Sequence, residues 1–212
     1  MVDRADSFSG SRIVVASRNP AKVREIRRVI EGLPVEVMDL AQAGFDAEIE
    51  ETGQTFAENA AAKALAVAEA TGELALADDS GLMVDALGGR PGVLSARYGG
   101  DDLTDSQRVE LLLRELAQVP HARRAAQFVC VLALAVPGRI LARWAGRVCG
   151  VIADKPQGTG GFGYDPVFLY LPAGRTFAQM TPDEKNAVSH RGRAVRRLPE
   201  VLRRLSEADW PH

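Results

Sequence analysis

Ala77-Asp78-Asp79-Ser80-Gly81 separates one apolar run, Leu74 to Ala77, from another, Leu82 to Ala86. Adjacent carboxylates repel, so they need a cation, a proton or solvent between them. The glycine permits a sharp turn or a close approach to a ligand. The pattern predicts two strands joined by an acidic loop. Asp, Ser and Gly are ordinary turn residues, so these five residues alone admit a solvated turn as readily as a metal-polyphosphate site.

Other segments supply what the acidic stretch lacks. Ile13-Val14-Val15-Ala16 reads as a strand, Ser17-Arg18-Asn19-Pro20 as a polar loop, and Val23, Ile26 and Ile30 as one face of a helix stopped by Gly32. Such a unit aims backbone N–H groups and a helix N-terminus at whatever lies above it, which suits a phosphate. Ser17 and Asn19 can donate further hydrogen bonds. Lys22, in the first helical turn, opposes the helix dipole unless an anion binds there. The loop is not a Walker A motif, because G-x-x-x-x-G-K is absent.

Val35 to Met38 reads as a second strand. Glu48, Glu50 and Glu51 then form an acidic cluster, most simply a solvated charge run. Thr55-Phe56-Ala57-Glu58 is a capping box that starts an alanine-rich helix, and Gly72 ends it. Asn59 and Lys63, four apart, share a face of that helix. Taken alone, Lys63 reads as a surface lysine, though one able to reach a phosphate.

Gly88-Gly89-Arg90-Pro91-Gly92 is a loop. Thr104 to Gln107 is a second capping box, and Val109, Leu112, Leu113 and Leu116 give its helix an apolar face. Phe128 to Val136 looks like a strand buried on both faces. Pro137-Gly138 makes a turn, and Ile140 to Val148 returns as the hairpin partner. Lys155 to Asp165 is rich in turns and lacks the context of a dinucleotide fingerprint. Within it, Phe162 lies between glycines and can lay its ring against something planar. Thr181-Pro182-Asp183-Glu184 is a third capping signature, followed by Lys185-Asn186. Ser189-His190-Arg191 opens a last helix, buried through Ala194, Val195, Leu198, Leu202 and Leu205 and kinked at Pro199.

Composition narrows the function classes. The chain has 212 residues, 46% hydrophobic and 25% charged, as in an ordinary globular protein. A net charge of −2 argues against a nucleic-acid or membrane binder, so any cationic pocket is local. Residues 1–11 are polar and read as a disordered tail ahead of a single domain over 12–212. The longest uncharged run, Ala125 to Gly138, is too short to span a bilayer. Cys130 and Cys149 sit in apolar sequence and read as buried reduced thiols of a cytoplasmic protein. Their spacing is not that of a zinc site.

Together these segments offer complementary chemistry. Asp78, Asp79 and the Glu50/Glu51 pair are hard oxygen ligands of the kind Mg2+ takes alongside substrate phosphates. Lys22 and the Ser17 to Asn19 loop suit a polyphosphate. Phe162, Tyr164, Asp165, Lys185, His190 and Arg191 suit a planar heterocycle.

Six stretches carry a family resemblance: Ile13 to Lys22, Glu50 to Ala60, Ala77 to Leu82, Pro91 to Tyr98, Gly161 to Pro166 and Glu184 to Gly192. In order, from about residue 12 to 205, they resemble the successive signatures of the inosine/xanthosine triphosphate pyrophosphatases, the RdgB-type house-cleaning enzymes. Ser17-Arg18 stands where the commoner pair is Thr-Gly. The resemblance implies an α/β fold: a long mixed β-sheet with flanking helices, in two lobes around a central cleft, usually as a homodimer. It implies Mg2+-dependent hydrolysis of ITP, dITP or XTP to the monophosphate and pyrophosphate. By motif position, Asp79 would be the catalytic base close to the metal, and Glu50 would help hold it. Ser17, Arg18, Asn19, Pro20, Ala21 and Lys22 would take the phosphates, with Ser80 beside them. Phe162, Gly163, Tyr164, Asp165, Lys185, His190 and Arg191 would take the base. Whether Glu50 or Glu51 faces the metal stays open. The competing expectations are a Maf-like pyrophosphatase acting on dTTP or UTP, and a non-catalytic nucleotide-binding module.

Overall fold

The computed structural model describes residues 11–32 and 35–207. The expected N-terminal tail lies outside the described residues, except for Ser11, which opens the first strand. The chain runs β1 (Ser11–Val15), α1 (Pro20–Ile30), β2 (Val35–Asp39), α2 (Phe56–Thr71), β3 (Leu74–Val84), α3 (Asp105–Glu115), β4 (Ala125–Val136) and β5 (Arg139–Ile152). It continues with β6 (Phe168–Tyr170), β7 (Arg175–Thr176), α4 (Pro182–Val188), α5 (His190–Val195) and α6 (Leu198–Glu207). The strands form one seven-stranded sheet in the order β2-β1-β3-β4-β5-β6-β7. β1 pairs parallel with β2 and β3, while β6 pairs antiparallel with β5 and β7, so the sheet is mixed. The parallel part needs helical crossovers, which α1 and α2 provide.

Two compact units divide the chain. The first takes the described residues up to Asp79, Val131–Ala145 and the described residues from Arg193; the second takes Ser80–Cys130 and Gly146–Gly192. In the first, Ala60, Ala64, Val67 and Ala68 of α2 pack on Val14, Ala75, Ala77, Ala133 and Ala135 of the strands. Alanine on both sides lets helix and sheet approach closely, which explains the helix composition. In the second, Val109 and Leu112 of α3 pack with Leu82, Val84, Val148 and Ile152 and with a cluster of rings. Phe168 lies 4.7 Å from Phe128 and 4.9 Å from Phe177.

The helix signals hold. Val23, Ile26 and Ile30 are the buried residues of α1. Thr55, Thr104 and Thr181 each cap a helix through a reciprocal box, with Glu58, Gln107 and Glu184 as partners. Gly72 closes α2 in the left-handed conformation, φ 71°. β4 is almost wholly buried, as expected of a strand covered on both faces.

Three expectations need correction. Asp78 to Gly81 is not a loop between strands but the interior of β3. The carboxylates need no turn into water because lysines meet them inside the fold. The last helix is not one kinked helix but two, α5 and α6. The Ala194 carbonyl accepts the Arg197 N–H in a tight turn and the Trp144 indole N–H at 2.7 Å. Pro199 then falls in the first turn of α6, where its missing N–H costs little. Both cysteines are reduced thiols, but Cys149 is exposed: the alternation of β5 buries Val148 and Gly150 and turns Cys149 outward.

Candidate active site

In the first unit, Asn19 is the N-cap of α1. Its Oδ1 accepts the N–H groups of Ala21 at 2.9 Å and Lys22 at 3.3 Å, with Pro20 behind it as the first helical residue. Ser17 Oγ accepts the Asn19 N–H at 3.3 Å. Those backbone donors are therefore engaged inside the loop, and the cationic function rests on the Lys22 side chain. Arg18 bends away to donate to the carbonyls of Asp46 and, at 2.8 Å, Ala47. On that side a cavity of about 650 Å³ opens, lined by Arg24, Arg27, Asp39 and Phe45 among others. The acidic pair of β3 does not line it.

Successive strand residues point to opposite faces, so Asp78 and Asp79 part and take different partners. Lys22 of α1 lies 3.1 Å from Asp78, whose side chain is fully buried. Asp79, 4% exposed, accepts from Asn59 Nδ2 at 3.1 Å and lies 3.4 Å from Lys63 Nζ. Lys63 is not the surface lysine expected of it. It is 7% exposed and also donates to Glu51 at 2.8 Å. Glu51 thus joins the acids of β3, whereas Glu50 is exposed on the preceding loop.

Three carboxylates, Glu51, Asp78 and Asp79, share two ammonium groups, Lys22 and Lys63. Burial and these neighbours together shift two ionisations. Burial raises the Asp79 carboxyl above its ordinary range and Glu51 adds to the rise; Lys63, Lys22 and the Asn59 hydrogen bond oppose it. Burial alone would lower Lys63, but Asp79, Asp78 and Glu51 outweigh it and hold the ammonium protonated. The excess carboxylate and the hard oxygen donors suit a divalent cation such as Mg2+. Among the described residues no three His, Cys, Asp or Glu side chains form a ready-made cation cage. A metal here would draw on one or two carboxylates and complete its shell with water and substrate oxygens.

In the second unit, a second charged group meets aromatic rings. The Thr181 box and Pro182 fix the start of α4 and so place Lys185. Its Nζ pairs with Asp165 at 2.6 Å, both side chains buried, and sits 4.6 Å from the centre of the Phe162 ring. The Arg191 guanidinium carbon lies 5.6 Å from the same ring. Both approaches are cation–π contacts. His190 stacks on Phe128, centroids 4.7 Å apart at 11°.

The Gly161 to Asp165 loop is held at every residue after the first. Phe162 N–H donates to Asp165 at 2.9 Å, Gly163 N–H to Asp105 at 2.8 Å, and Tyr164 hydroxyl to the Ser95 carbonyl at 3.1 Å. Gly161, φ 73°, must be glycine: a Cβ there would lie 2.0 Å from the Asp165 carboxylate.

The sequence-based list therefore divides. Lys22, Asp79, Phe162, Lys185 and Arg191 take positions in these charged groups. Asn19, Tyr164 and Asp165 serve first to hold the loops, and Ala21 and Gly163 commit their N–H groups within the fold. Pro20 shapes the start of α1. His190 is packed against a phenylalanine. Ser80 is half-buried in β3. Lys63, expected only as a surface lysine able to reach a phosphate, and Asn59, given no role by sequence, share a helical stripe with Ala60, Ala64 and Val67, the residues α2 buries.

Known proteins resemble this chain over about nine-tenths of its length. The Ham1 family model matches residues 13–201. The dITP/XTP pyrophosphatase of Bacillus subtilis is 47% identical over 89% of this chain and 96% of its own length. That of Geobacter sulfurreducens is 50% identical over 91% and 96%. The solved HAM1 protein of Coxiella burnetii superimposes with a TM-score of 0.83, at 42% identity, over 91% of this chain and 98% of that one. Six ordered motifs, a mixed α/β sheet and this similarity across nearly the whole chain lead to one placement: the chain belongs to the Ham1 family.

Proposed function

We propose that this protein hydrolyses deaminated purine nucleoside triphosphates (ITP, dITP and XTP) to the monophosphate and pyrophosphate. The observation that carries the reading is Asp79: a buried carboxylate whose ionisation is shifted upward, gripped by Asn59 and Lys63 and flanked by Glu51. The names of relatives near 50% identity over almost the whole chain support it.

In this reading the first unit takes the phosphates. Lys22 and Lys63 exchange carboxylate partners for phosphate oxygens, with the Ser17 to Lys22 loop beside them; Ser80, which follows Asp79 along β3, opens the second unit and keeps its expected phosphate role as part of this reading. Asp79 accepts or orients the proton of the attacking water as the α–β anhydride bond breaks, typically for a factor of about 10²–10⁴. Asp79, with Glu50 or Glu51, holds Mg2+, which when bound offsets negative charge on the leaving pyrophosphate. Glu51 is the better placed of the two glutamates, because it already lies on Lys63.

The second unit reads the base. Phe162 stacks on the purine, and Lys185 and Arg191 donate to the 6-oxo acceptor of hypoxanthine or xanthine. Adenine carries an amino donor at that position and would leave the cations unmatched, at a cost of roughly 1–3 kcal/mol or more. Residues 12–212 are read as one catalytic domain. A homodimer and a cytoplasmic setting, consistent with two reduced thiols, belong to the same reading.

The test is pyrophosphate release from ITP, XTP, GTP, ATP and dTTP, with and without Mg2+. The reading predicts turnover of ITP and XTP well above ATP, lost with a chelator. A preference for dTTP would favour a Maf-like activity, and nucleotide binding without pyrophosphate release a sensing module.

A further inference from the structure

Asn59 sits in the first turn of α2 and is 1% exposed. Both ends of its amide are used, by two different segments. Its Oδ1 accepts the Gly53 N–H at 2.8 Å, and its Nδ2 donates to Asp79 Oδ2 at 3.1 Å. A backbone N–H can only donate, so the oxygen of the amide must face Gly53 and the nitrogen must face Asp79. Gly53 approaches so closely that a Cβ there would lie 2.6 Å from that oxygen. The loop is pinned again next door, where Glu58 accepts the N–H groups of Gln54 and Thr55. Glu51, two residues before Gly53, reaches Lys63, which also meets the other oxygen of Asp79.

We infer that Asn59 is a positioning residue for the reaction, orienting Asp79 through its amide N–H while tethering the acidic loop through its amide oxygen. The inference rests on the proposed catalytic role of Asp79. The Asn59 side chain bonds to Gly53 and Asp79, not to the side chains of Lys22 or Lys63 or to the Phe162–Lys185 group. Its effect therefore belongs to turnover rather than to substrate affinity. Misplacing a catalytic group by about an ångström can lower turnover about a hundredfold.

Two substitutions separate positioning from tethering. Asn59→Asp keeps an acceptor for Gly53 but presents a carboxylate oxygen to Asp79 in place of the donor. Asn59→Ala removes both contacts. Steady-state pyrophosphate release from ITP with Mg2+ is measured for each folded variant beside wild type, with thermal unfolding as the folding control. The expected result is a fall in kcat of about tenfold to a hundredfold in both variants, with KM changed less than about threefold. Wild-type kcat in Asn59→Asp would overturn the inference and leave Asn59 a loop tether. A rise in KM at unchanged kcat in either variant would overturn it as well. If the wild-type protein itself released no pyrophosphate, the underlying function would fail, which is a distinct outcome.

Discussion

Asp79 carries a stability cost along with its proposed role. Burial makes the folded chain hold its proton to a higher pH than the unfolded chain, whose aspartate titrates near the ordinary 3.8. Above that value the folded state binds more protons, so stability falls as pH rises and levels off once the folded carboxylate has ionised. In metal-free protein, Asp79→Asn is expected to remove this fall; urea titrations at a series of pH values measure it, and an unchanged pH profile would contradict the assignment. Lys185 and Asp165 make a sharper case, because both side chains are buried and 2.6 Å apart. Lys185→Met is expected to cost about 3–5 kcal/mol, since it strands a buried carboxylate, whereas the Lys185→Met/Asp165→Asn double variant should recover most of that loss. Additive losses in denaturant unfolding would show that the pair is not coupled. The expense of adjacent acids was legible in the sequence. Lys63 was legible only in part: its stripe on α2 marks the buried face, but a lone lysine there looks alike whether its head reaches water or a carboxylate across the fold.

Local chemistry sets the helix ends, and these were readable from sequence. The three Thr boxes, the Gly72 cap and the Pro182 start need only neighbours within four residues. Thr181→Ala should cost about 1 kcal/mol. Because α4 carries Lys185, the same substitution should weaken ITP turnover more than any effect of Thr104→Ala on α3. Thermal unfolding and kcat/KM for the two variants check this, and equal activities would contradict it. Glu184, the reciprocal partner at Thr181, is also held low, to about 2, first by its hydrogen bond with Arg175. Its contribution is present above the ordinary carboxylate range and is lost as pH falls through about 2. What sequence could not reveal was set by distant partners. β3 continues through Asp78 and Asp79 because Lys22 and Lys63 arrive from two helices. α5 stops where it does because the Trp144 indole, far along the chain, reaches the Ala194 carbonyl.

At the scale of the molecule, each unit has its own core and its own charged group. The first joins Lys22, Lys63, Glu51, Asp78 and Asp79; the second joins Phe162, Lys185 and Arg191. The proposed chemistry divides the same way, which predicts a division in kinetics. Changes at Asp79 should act on turnover of every accepted nucleotide alike, while changes at Arg191 should act on the choice between ITP and ATP. The order of the motifs along the sequence implied this family from the start, and the mixed sheet agrees with it. The most direct test is pyrophosphate release from saturating ITP in Mg2+ by wild type and by Asp79→Asn. The account predicts a loss of about 10²–10⁴-fold in the variant. Turnover near the wild-type rate would contradict it.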